Sequence, residues 1–202
     1  MKIIRDREND NYSIKNKILG NCFTVIADKE YYYEFNINDN ESLIKTNDLK
    51  YIEEAIDEFR KYNLNIIKFY TNDNTFYKEF DYVYTFKLPI KILQPSQFFI
   101  DKDKLKNIEE NLNYEEISIP VCIINDEYVI LDGHTRLYAL YENDYKMVNV
   151  YIDNQYPHID DFVYMAKENN IFSIKNLQKL SHDEYDKYWN KFCDDYFEAI
   201  KG

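Results

Sequence analysis

The chain of 202 residues is 45% hydrophobic and 17% aromatic, which is ample for a buried core and excludes an intrinsically disordered protein. Its 37 acidic residues outnumber its 25 basic residues and give a net charge of −12, so the overall field repels nucleic acid and anionic lipid. The length allows one domain with a full core, or a domain of about 110 residues with a smaller one.

Cysteine spacing and the lengths of the hydrophobic runs indicate in which cellular compartment the protein is expected. Cys22, Cys122 and Cys193 stand far apart, without a CxxC pair or zinc-ligand spacing, so reduced and mostly buried thiols are expected. The sequence has no apolar N-terminal segment and no run of about 18 apolar residues. We therefore expect a cytoplasmic protein that does not associate with a membrane.

Residues 1–86 are predicted to form an N-terminal α+β unit in the order β-β-α-β-β, with only a weak signal for any element in residues 1–16. Runs of β-branched and aromatic residues predict the strands, and spaced apolar residues predict an amphipathic helix. The predicted elements are a hairpin of strands 22–26 and 31–37, a helix from Asn47 or Asp48 with the apolar face Leu49, Ile52, Ile56 and Phe59, and two strands at 65–70 and 82–88.

Residues 87–153 are predicted to form a mixed α/β core, which Pro89 and Pro95 punctuate near its start. The predicted elements are strand 90–93, a helix from Asp101 or Asp103 to about Asn113, a hairpin of strands 117–124 and 128–131, a helix to about Asn143, and strand 148–152.

The first helix of this core has two predicted faces. Its buried stripe is Leu105, Ile108 and Leu112. A polar edge beside that stripe repeats the same spacing one position earlier and consists of Lys104, Asn107 and Asn111.

Residues 154–202 are predicted to form helices that pack on the core. Their apolar positions are Ile159, Phe162, Val163 and Ala166 in one helix, a short helix after Ser173, and Tyr185, Trp189, Phe192, Tyr196 and Ile200 in a long helix. His158 and His182 lie near predicted helix starts and far from any acid cluster in sequence, so both are interpreted as ordinary surface residues.

Residues 132–136, with the sequence DGHTR, bring together residue types that are rare in this chain. An apolar segment precedes them and a helical pattern follows, which predicts a strand, a turn and a helix. Gly133 allows an unusual backbone and a close ligand approach, and the helix start presents unpaired N–H groups. Thr135 adds a hydroxyl donor, and Arg136 adds a guanidinium suited to phosphate or carboxylate. These residues predict an anion-binding turn.

The alternative for the same turn is purely structural. Gly133 and Thr135 would only turn and cap the helix, while Arg136 pairs with a surface acid. The five residues by themselves favour the two interpretations about equally.

The segment from Leu88 to Asp153 resembles the ParB/sulfiredoxin-like superfamily. The residues that carry the resemblance are LPIKILQP at 88–95, the helix at 101–112, the strand IPVCI at 119–123 and VILDGHTRLYAL at 129–140. The resemblance implies a small mixed α/β fold that binds a nucleotide, with the motif at a helix N-terminus holding the phosphates. The nucleotide- or phosphate-binding residues it implies are Lys104, Asn107, Asn111, Gly133, His134, Thr135 and Arg136.

Individual residues of the motif differ from those of two branches of the superfamily, and these differences argue against both activities. Sulfiredoxins need a cysteine directly before a His-Arg pair, and this chain has His134 there, so reduction of a sulfinic acid is disfavoured. The chromosome-partition branch has a Gly-Glu-Arg-Arg motif for CTP and a helix-turn-helix domain. Here His134 and Thr135 replace Glu and the first Arg, and residues 154–202 are few and acidic, so a role in DNA partition is disfavoured.

The motif is most similar to the Asp-Gly-His-His-Arg form of free serine kinases, with Thr135 in place of the second His. This similarity implies a kinase that uses ATP or ADP with Mg²⁺ to phosphorylate the hydroxyl of a small metabolite such as free serine. Asp132 and His134 would be its catalytic residues. Asp132 would bind Mg²⁺ or orient the substrate amine, and His134 would donate to the phosphate or handle the hydroxyl proton.

The same kinases carry a catalytic Glu where this chain has Gln97, so Asp101, Asp103 or Glu127 would have to supply the base. The alternative function is a non-catalytic regulatory or protein-interaction module that senses ATP, ADP or CTP. In that alternative the Tyr-rich flanking regions bind a protein partner or a second copy of the chain.

Overall fold

The computed structural model describes residues 1–111, 117–154 and 156–200, with Asn111 described by its backbone alone. The chain divides into two compact units, Met1–Thr85 and Phe86–Gly202, and both combine helices with sheets. The predicted α+β class is therefore confirmed. Segment 154–202 belongs to the same compact unit as the predicted core. Within the described ranges, no helix is long and apolar enough to span a membrane.

The first unit contains a six-stranded sheet in the order β1-β2-β3-β4-β5-β6. Its elements are β1 (Lys2–Arg5), α1 (Ile14–Leu19), β2 (Cys22–Ile26), β3 (Glu30–Asn38), β4 (Glu41–Thr46), α2 (Ile52–Arg60), β5 (Lys68–Tyr70) and β6 (Phe76–Glu79). The predicted hairpin of residues 22–26 and 31–37 is confirmed by the antiparallel pairing of β2 with β3. β4 and β5 are parallel, and the crossover connection that parallel neighbours require contains α2.

Aromatic side chains fill the core between this sheet and α2. Phe59 of α2 stacks on Phe35 of β3 with ring centroids 4.1 Å apart, and it meets Phe23 and Phe69 edge to face. All four side chains are fully buried, and burial of one such ring contributes roughly 1.5–3 kcal/mol. Three of the four residues predicted for the apolar face of this helix, Ile52, Ile56 and Phe59, are part of this core.

The predicted order β-β-α-β-β for the N-terminal unit is wrong. β1 lies within residues 1–16, and α1 begins there, although this segment gives only a weak signal for any element. β4 and β6 are further strands that the prediction did not contain. Two of these elements, α1 and β4, have buried polar side chains, so a pattern of apolar residues does not indicate them. Asn16 of α1 is buried and donates to Glu34 at 2.8 Å, and Ser42 of β4 is also buried.

One predicted helix boundary also moves. α2 begins at Ile52 rather than at Asn47, because Thr46 donates a hydrogen bond to the Asp48 carbonyl at 2.7 Å and holds the chain in a turn. Leu49 therefore lies outside the helix, where it is exposed. β5 is shorter than the strand predicted for that region.

The second unit is built on a five-stranded mixed sheet in the order β7-β12-β10-β11-β8 and on a parallel pair of β9 and β13. Its elements are β7 (Thr85–Pro89), β8 (Leu93–Gln94), β9 (Phe99–Asp101), α3 (Lys102–Asn111), β10 (Ser118–Ile124), β11 (Glu127–Ile130), α4 (His134–Glu142), β12 (Met147–Ile152), α5 (Ile159–Glu168), β13 (Gln178–Leu180), α6 (His182–Tyr185) and α7 (Lys191–Ala199).

β10 is the central strand of the larger sheet and positions the elements of the candidate site. It pairs antiparallel with β11, which confirms the predicted hairpin, and parallel with β12. α3 packs against α4, and its predicted apolar residues Leu105 and Ile108 are buried. At the C-terminal end, Trp189 and Phe162 pack together with ring centroids 6.1 Å apart, as part of an aromatic cluster.

Two predictions in the second unit are wrong, and one predicted helix is less regular than expected. The strand predicted at 90–93 is a 3₁₀ helix, Ile90–Ile92, followed by the short β8, because Ile90 N–H donates to the Lys146 carbonyl and the chain turns away after β7. The long C-terminal helix contains a π-helical stretch, Asp186–Asn190, between α6 and α7. β13 is an additional strand whose side chains are mostly exposed, so it leaves no apolar pattern in the sequence.

Candidate functional site

The turn between β11 and α4 is formed by the predicted DGHTR motif. Gly133 is the N-cap of α4 with φ 83° and ψ 22°, a left-handed conformation that costs other L-residues roughly 1–2 kcal/mol. As a glycine, this N-cap residue makes no side-chain capping bond, and the first turn of the helix contains no acidic residue. The N–H groups at His134, Thr135 and Arg136 therefore lie at the positive end of the helix dipole.

The Arg136 side chain folds back over this turn. Its Nη2 lies 3.2 Å from Oδ2 of Asp132, four residues earlier. A Cβ atom on Gly133 would lie 2.9 Å from both Nε and Nη2 of Arg136, and 2.9 Å from Cδ1 of Ile119. Glycine thus allows the left-handed backbone, and its lack of a side chain leaves room for the guanidinium of Arg136. Only 15% of the Arg136 side chain is exposed, so its charge is held in place.

The ion pair of the structural alternative is therefore present, with Asp132 as the acid and Gly133 as the cap. Both side chains retain some exposure, at 15% for Arg136 and 34% for Asp132. A partly exposed pair of this kind contributes about 1 kcal/mol or less. A phosphate at the turn would make charge-assisted hydrogen bonds of greater strength, so the pair does not exclude an anion ligand.

The His134 side chain is buried and neutral. Its Nε2 accepts a hydrogen bond from Ser96 N–H at 3.1 Å, and Ser96 Oγ donates to the Ile130 carbonyl at 2.7 Å. Burial is the main cause that lowers the pKa of His134 to about 4; the carboxylate of Asp132 opposes this shift, and the charges of Lys104 and Arg136 act in its direction. The neutral ring accepts at Nε2, so its proton is on Nδ1. His134 thus links the loop after β8 to the start of α4.

α3 brings part of the predicted polar edge towards the site. Oδ1 of Asp101 accepts from the N–H groups of Asp103 and Lys104 at 2.9 and 3.2 Å, which confirms Asp101 as the start of this helix. The Lys104 side chain is half-buried, and its charge acts on the imidazole of α4. Asn107, one turn later, is exposed. The side chain of Asn111 and the predicted end of the helix lie outside the described residues.

Three buried polar residues near the turn are not among the predicted site residues. Ser96 holds the imidazole, as described above. Tyr151 of β12 lies near the guanidinium: burial raises the pKa of its hydroxyl, and Arg136 opposes that rise. Asp153 is buried where its N–H donates to the Val121 carbonyl at 2.9 Å. The available signal was a polar residue directly after an apolar strand, which Asp153 shares with Asp132.

Asp101 and Glu127, two of the candidates for the base that would replace Gln97, both bind other side chains. Oδ1 of Asp101 caps α3, and Oδ2 lies 2.8 Å from Nδ1 of His182. Glu127 forms an ion pair with Lys167. Neither carboxylate is therefore arranged as a general base at the turn.

His182 is a surface residue, as interpreted, but the expectation that it lies far from acids is wrong. The ring contacts Asp101 through Nδ1, and Nε2 lies 3.5 Å from Oδ2 of Asp186. The hydrogen bond to Asp101 raises the pKa of His182 above its usual value. Because Asp101 lies 81 positions earlier in the chain, sequence spacing does not indicate this contact. His182 joins α6 to the capped start of α3.

Metal binding by side chains alone is not favoured in the part of the chain that the structure describes. No three His, Cys, Asp or Glu residues are grouped there as a metal site. Asp132 nevertheless fits the way in which Mg²⁺ is held with nucleotides, by one or two carboxylates together with phosphate oxygens and water. Cys22 and Cys122 are buried free thiols, as predicted, and Cys193 is partly buried.

Comparison with known proteins identifies no family for this chain. No family model matches the sequence, and no curated protein matches it. The crystal structure of protein Atu1540 from Agrobacterium tumefaciens is similar over 48% of this chain and 62% of that chain, with 14% identity and a TM-score of 0.36. The chain thus spans less than two thirds of the length of that structure. A similarity this weak identifies neither a fold nor an activity.

We expect His134→Gln to reduce the acid sensitivity of the second unit. The pKa of His134 is about 4 in the folded chain and roughly 6.5 when unfolded. The unfolded state therefore binds more protons, and stability falls as the pH drops from about 6.5 towards 4, by an amount on the order of 2–3 kcal/mol. Gln keeps an acceptor for Ser96 N–H but does not titrate.

Urea unfolding across this pH range measures the effect through Trp189, the single tryptophan, which lies in the second unit. The matched control is His182→Gln. The pKa of His182 is raised, so the stability it contributes is present at low pH and is lost as the pH rises, the opposite sign. Equal acid sensitivity in the wild type and in His134→Gln contradicts the burial argument.

Proposed function

We propose that the chain binds a mononucleotide and that the start of α4 holds its phosphates. The observation that carries this proposal is the guanidinium of Arg136, which lies over the left-handed turn at Gly133, the N-cap residue of α4. Helix N–H groups at a glycine turn, together with a forked guanidinium, form a common type of phosphate site. Thr135 follows Gly133 closely enough to add its N–H to the same helix start.

The charge around this turn supports a compact anion as the ligand. The whole chain carries a net charge of −12, whereas the charges that act on the buried imidazole at the start of α4 are two cations, Arg136 and Lys104, and the carboxylate of Asp132. A local positive field within an acidic protein attracts a small anion, while the overall field repels a polyanion. The proposed ligand is therefore ATP, ADP or CTP rather than DNA or RNA.

Asp132 is the residue that would hold Mg²⁺ in the proposed complex. Its carboxylate is one-third exposed and lies directly before the turn. Mg²⁺ bound there with phosphate oxygens would supply neutralisation of the phosphate charge. Arg136 would then exchange the Asp132 carboxylate for a phosphate oxygen, since both are acceptors of the same fork.

His134 has a positioning role in this proposal. Its imidazole is buried and bonded to Ser96 N–H, so it fixes the first residue of α4 against the loop after β8. With a pKa of about 4, the ring is neutral at pH 7 and offers a hydrogen bond from Nδ1 rather than a positive charge.

A kinase of a small hydroxyl-bearing metabolite, such as free serine, is the second candidate function. The position of Asp132 favours it, because this carboxylate lies beside the proposed phosphate site and keeps partial exposure. In this second candidate Asp132 acts as the base instead of holding Mg²⁺, and it would accept the hydroxyl proton of the substrate once Arg136 binds phosphate. Asp101 and Glu127 are engaged elsewhere, which supports the alternative of a non-catalytic nucleotide-sensing module.

We expect Arg136→Ala to weaken the binding of ADP with Mg²⁺ at least about tenfold, since a hydrogen bond to a charged group contributes roughly 1.5–3 kcal/mol. Isothermal titration calorimetry measures the affinity. Arg136→Lys keeps the charge without the fork and should give an intermediate loss.

The matched control for this loss is Arg7→Ala, which removes the same charge from an exposed side chain of the first unit and should leave the affinity unchanged. A wild type that binds none of ATP, ADP and CTP would overturn the proposed function.

The kinase candidate predicts a product that mass spectrometry detects. The protein is incubated with Mg²⁺, ATP or ADP, and serine, threonine or homoserine, and a phosphorylated amino acid is expected. Asp132→Asn should slow its formation about a hundredfold or more, because the base is lost. A wild type that binds nucleotide but forms no phosphorylated amino acid is instead a sensing module.

A further inference from the structure

We propose that a second ligand site lies at the C-terminal end of α4 and binds a small organic anion with an apolar body. A cavity of about 540 Å³ opens there, and a second cavity of about 450 Å³ shares Tyr145 and Met147 with it. Both volumes fall in the range of roughly 300–1,000 Å³ that small-molecule sites occupy. All residues that line them belong to the second unit.

The walls of the larger cavity are apolar and aromatic. Ile90 and Ile174 are buried at its base, while Tyr141, Tyr145 and Met147 are 42%, 39% and 43% exposed around it. Exposed aromatic and thioether side chains grouped around a concavity indicate a binding site, whereas scattered ones do not. The exposed faces of Tyr141 and Tyr145 suit a flat apolar group of the ligand.

Three lysines determine the charge of the ligand. Lys91, Lys146 and Lys175 line this cavity, although the chain has 37 acidic residues and a net charge of −12. Lys146 pairs with Asp144 at 3.3 Å. Among the described residues, Lys91 and Lys175 have no carboxylate within 4 Å, which leaves two exposed ammonium groups beside an apolar wall. Charge complementarity therefore selects an anion.

The orientation of the ligand follows from the same groups. The negative end of the helix dipole lies where α4 ends, next to Tyr141. The apolar body therefore lies against the tyrosines, and the anionic group lies near Lys91 and Lys175, which are on two 3₁₀ helices outside α4.

This site is separate from the proposed phosphate site. α4 contains nine residues, so its two ends are roughly 13 Å apart at 1.5 Å per residue. His134 and Arg136 lie at one end of the helix, and Tyr141 lies at the other. Failure of either proposal leaves the other unaffected.

The fluorescent probe 8-anilinonaphthalene-1-sulfonate tests this proposal, because it joins a sulfonate to aromatic rings. Titration into the wild type should give saturable binding. Lys91→Gln/Lys175→Gln should weaken it about fivefold or more, since two exposed ion pairs together contribute about 1 kcal/mol. Lys91→Arg/Lys175→Arg should retain the affinity of the wild type. The uncharged analogue N-phenyl-1-naphthylamine should bind the wild type and the Gln variant alike.

The matched control is Lys15→Gln/Lys45→Gln, which makes the same change of charge on exposed side chains of the first unit. It should leave the affinity for the probe unchanged. The proposal is overturned if the wild type shows no saturable binding, if the cavity variant binds as tightly as the wild type, or if the control weakens binding equally.

Discussion

The left-handed backbone at Gly133 is the constraint on which the candidate site depends. It turns the chain from β11 directly into α4, so the helix begins next to Ile119 of the central strand. Any other L-residue would meet backbone strain of roughly 1–2 kcal/mol and a contact of 2.9 Å with the guanidinium of Arg136. A single glycine therefore fixes the helix start, the position of the guanidinium and its pairing with Asp132.

The sheet topology determines what surrounds this turn. β8 and β11 run parallel, so the residues after them, which include Ser96 and Asp132, emerge at the same edge of the sheet. The hydrogen bond from Ser96 N–H to His134 joins the segments that follow β8 and β11. Because the imidazole is buried, the bond depends on the ring remaining neutral. Protonation of the buried His134 side chain would therefore break this bond and change the geometry of the proposed site.

Local features of the second unit could be predicted from the sequence, whereas its long-range contacts could not. The hairpin of β10 and β11, the glycine turn and α4 are encoded by neighbouring apolar residues and by one glycine. The partner of His134 is 38 positions away, and that of His182 is 81 positions away. Such pairs depend on the order of strands and helices, which no local pattern of residues specifies.

The first unit shows a second limit of sequence patterns. α1 buries Asn16 against Glu34, and β4 buries Ser42, so both elements have polar residues at positions where the pattern requires apolar ones. By contrast, the apolar face of α2 was evident because Phe59 and its neighbours repeat at helical spacing. Elements stabilised by buried polar side chains need the folded structure to be recognised.

We propose that the backbone N–H groups at the start of α4 bind nucleotide phosphate. The most direct measurement is a series of two-dimensional ¹H–¹⁵N NMR spectra recorded while ADP and Mg²⁺ are added to the ¹⁵N-labelled chain. We expect the largest shifts at the amides of His134, Thr135 and Arg136. Saturation with ADP, ATP or CTP that leaves these three amides unshifted would contradict it.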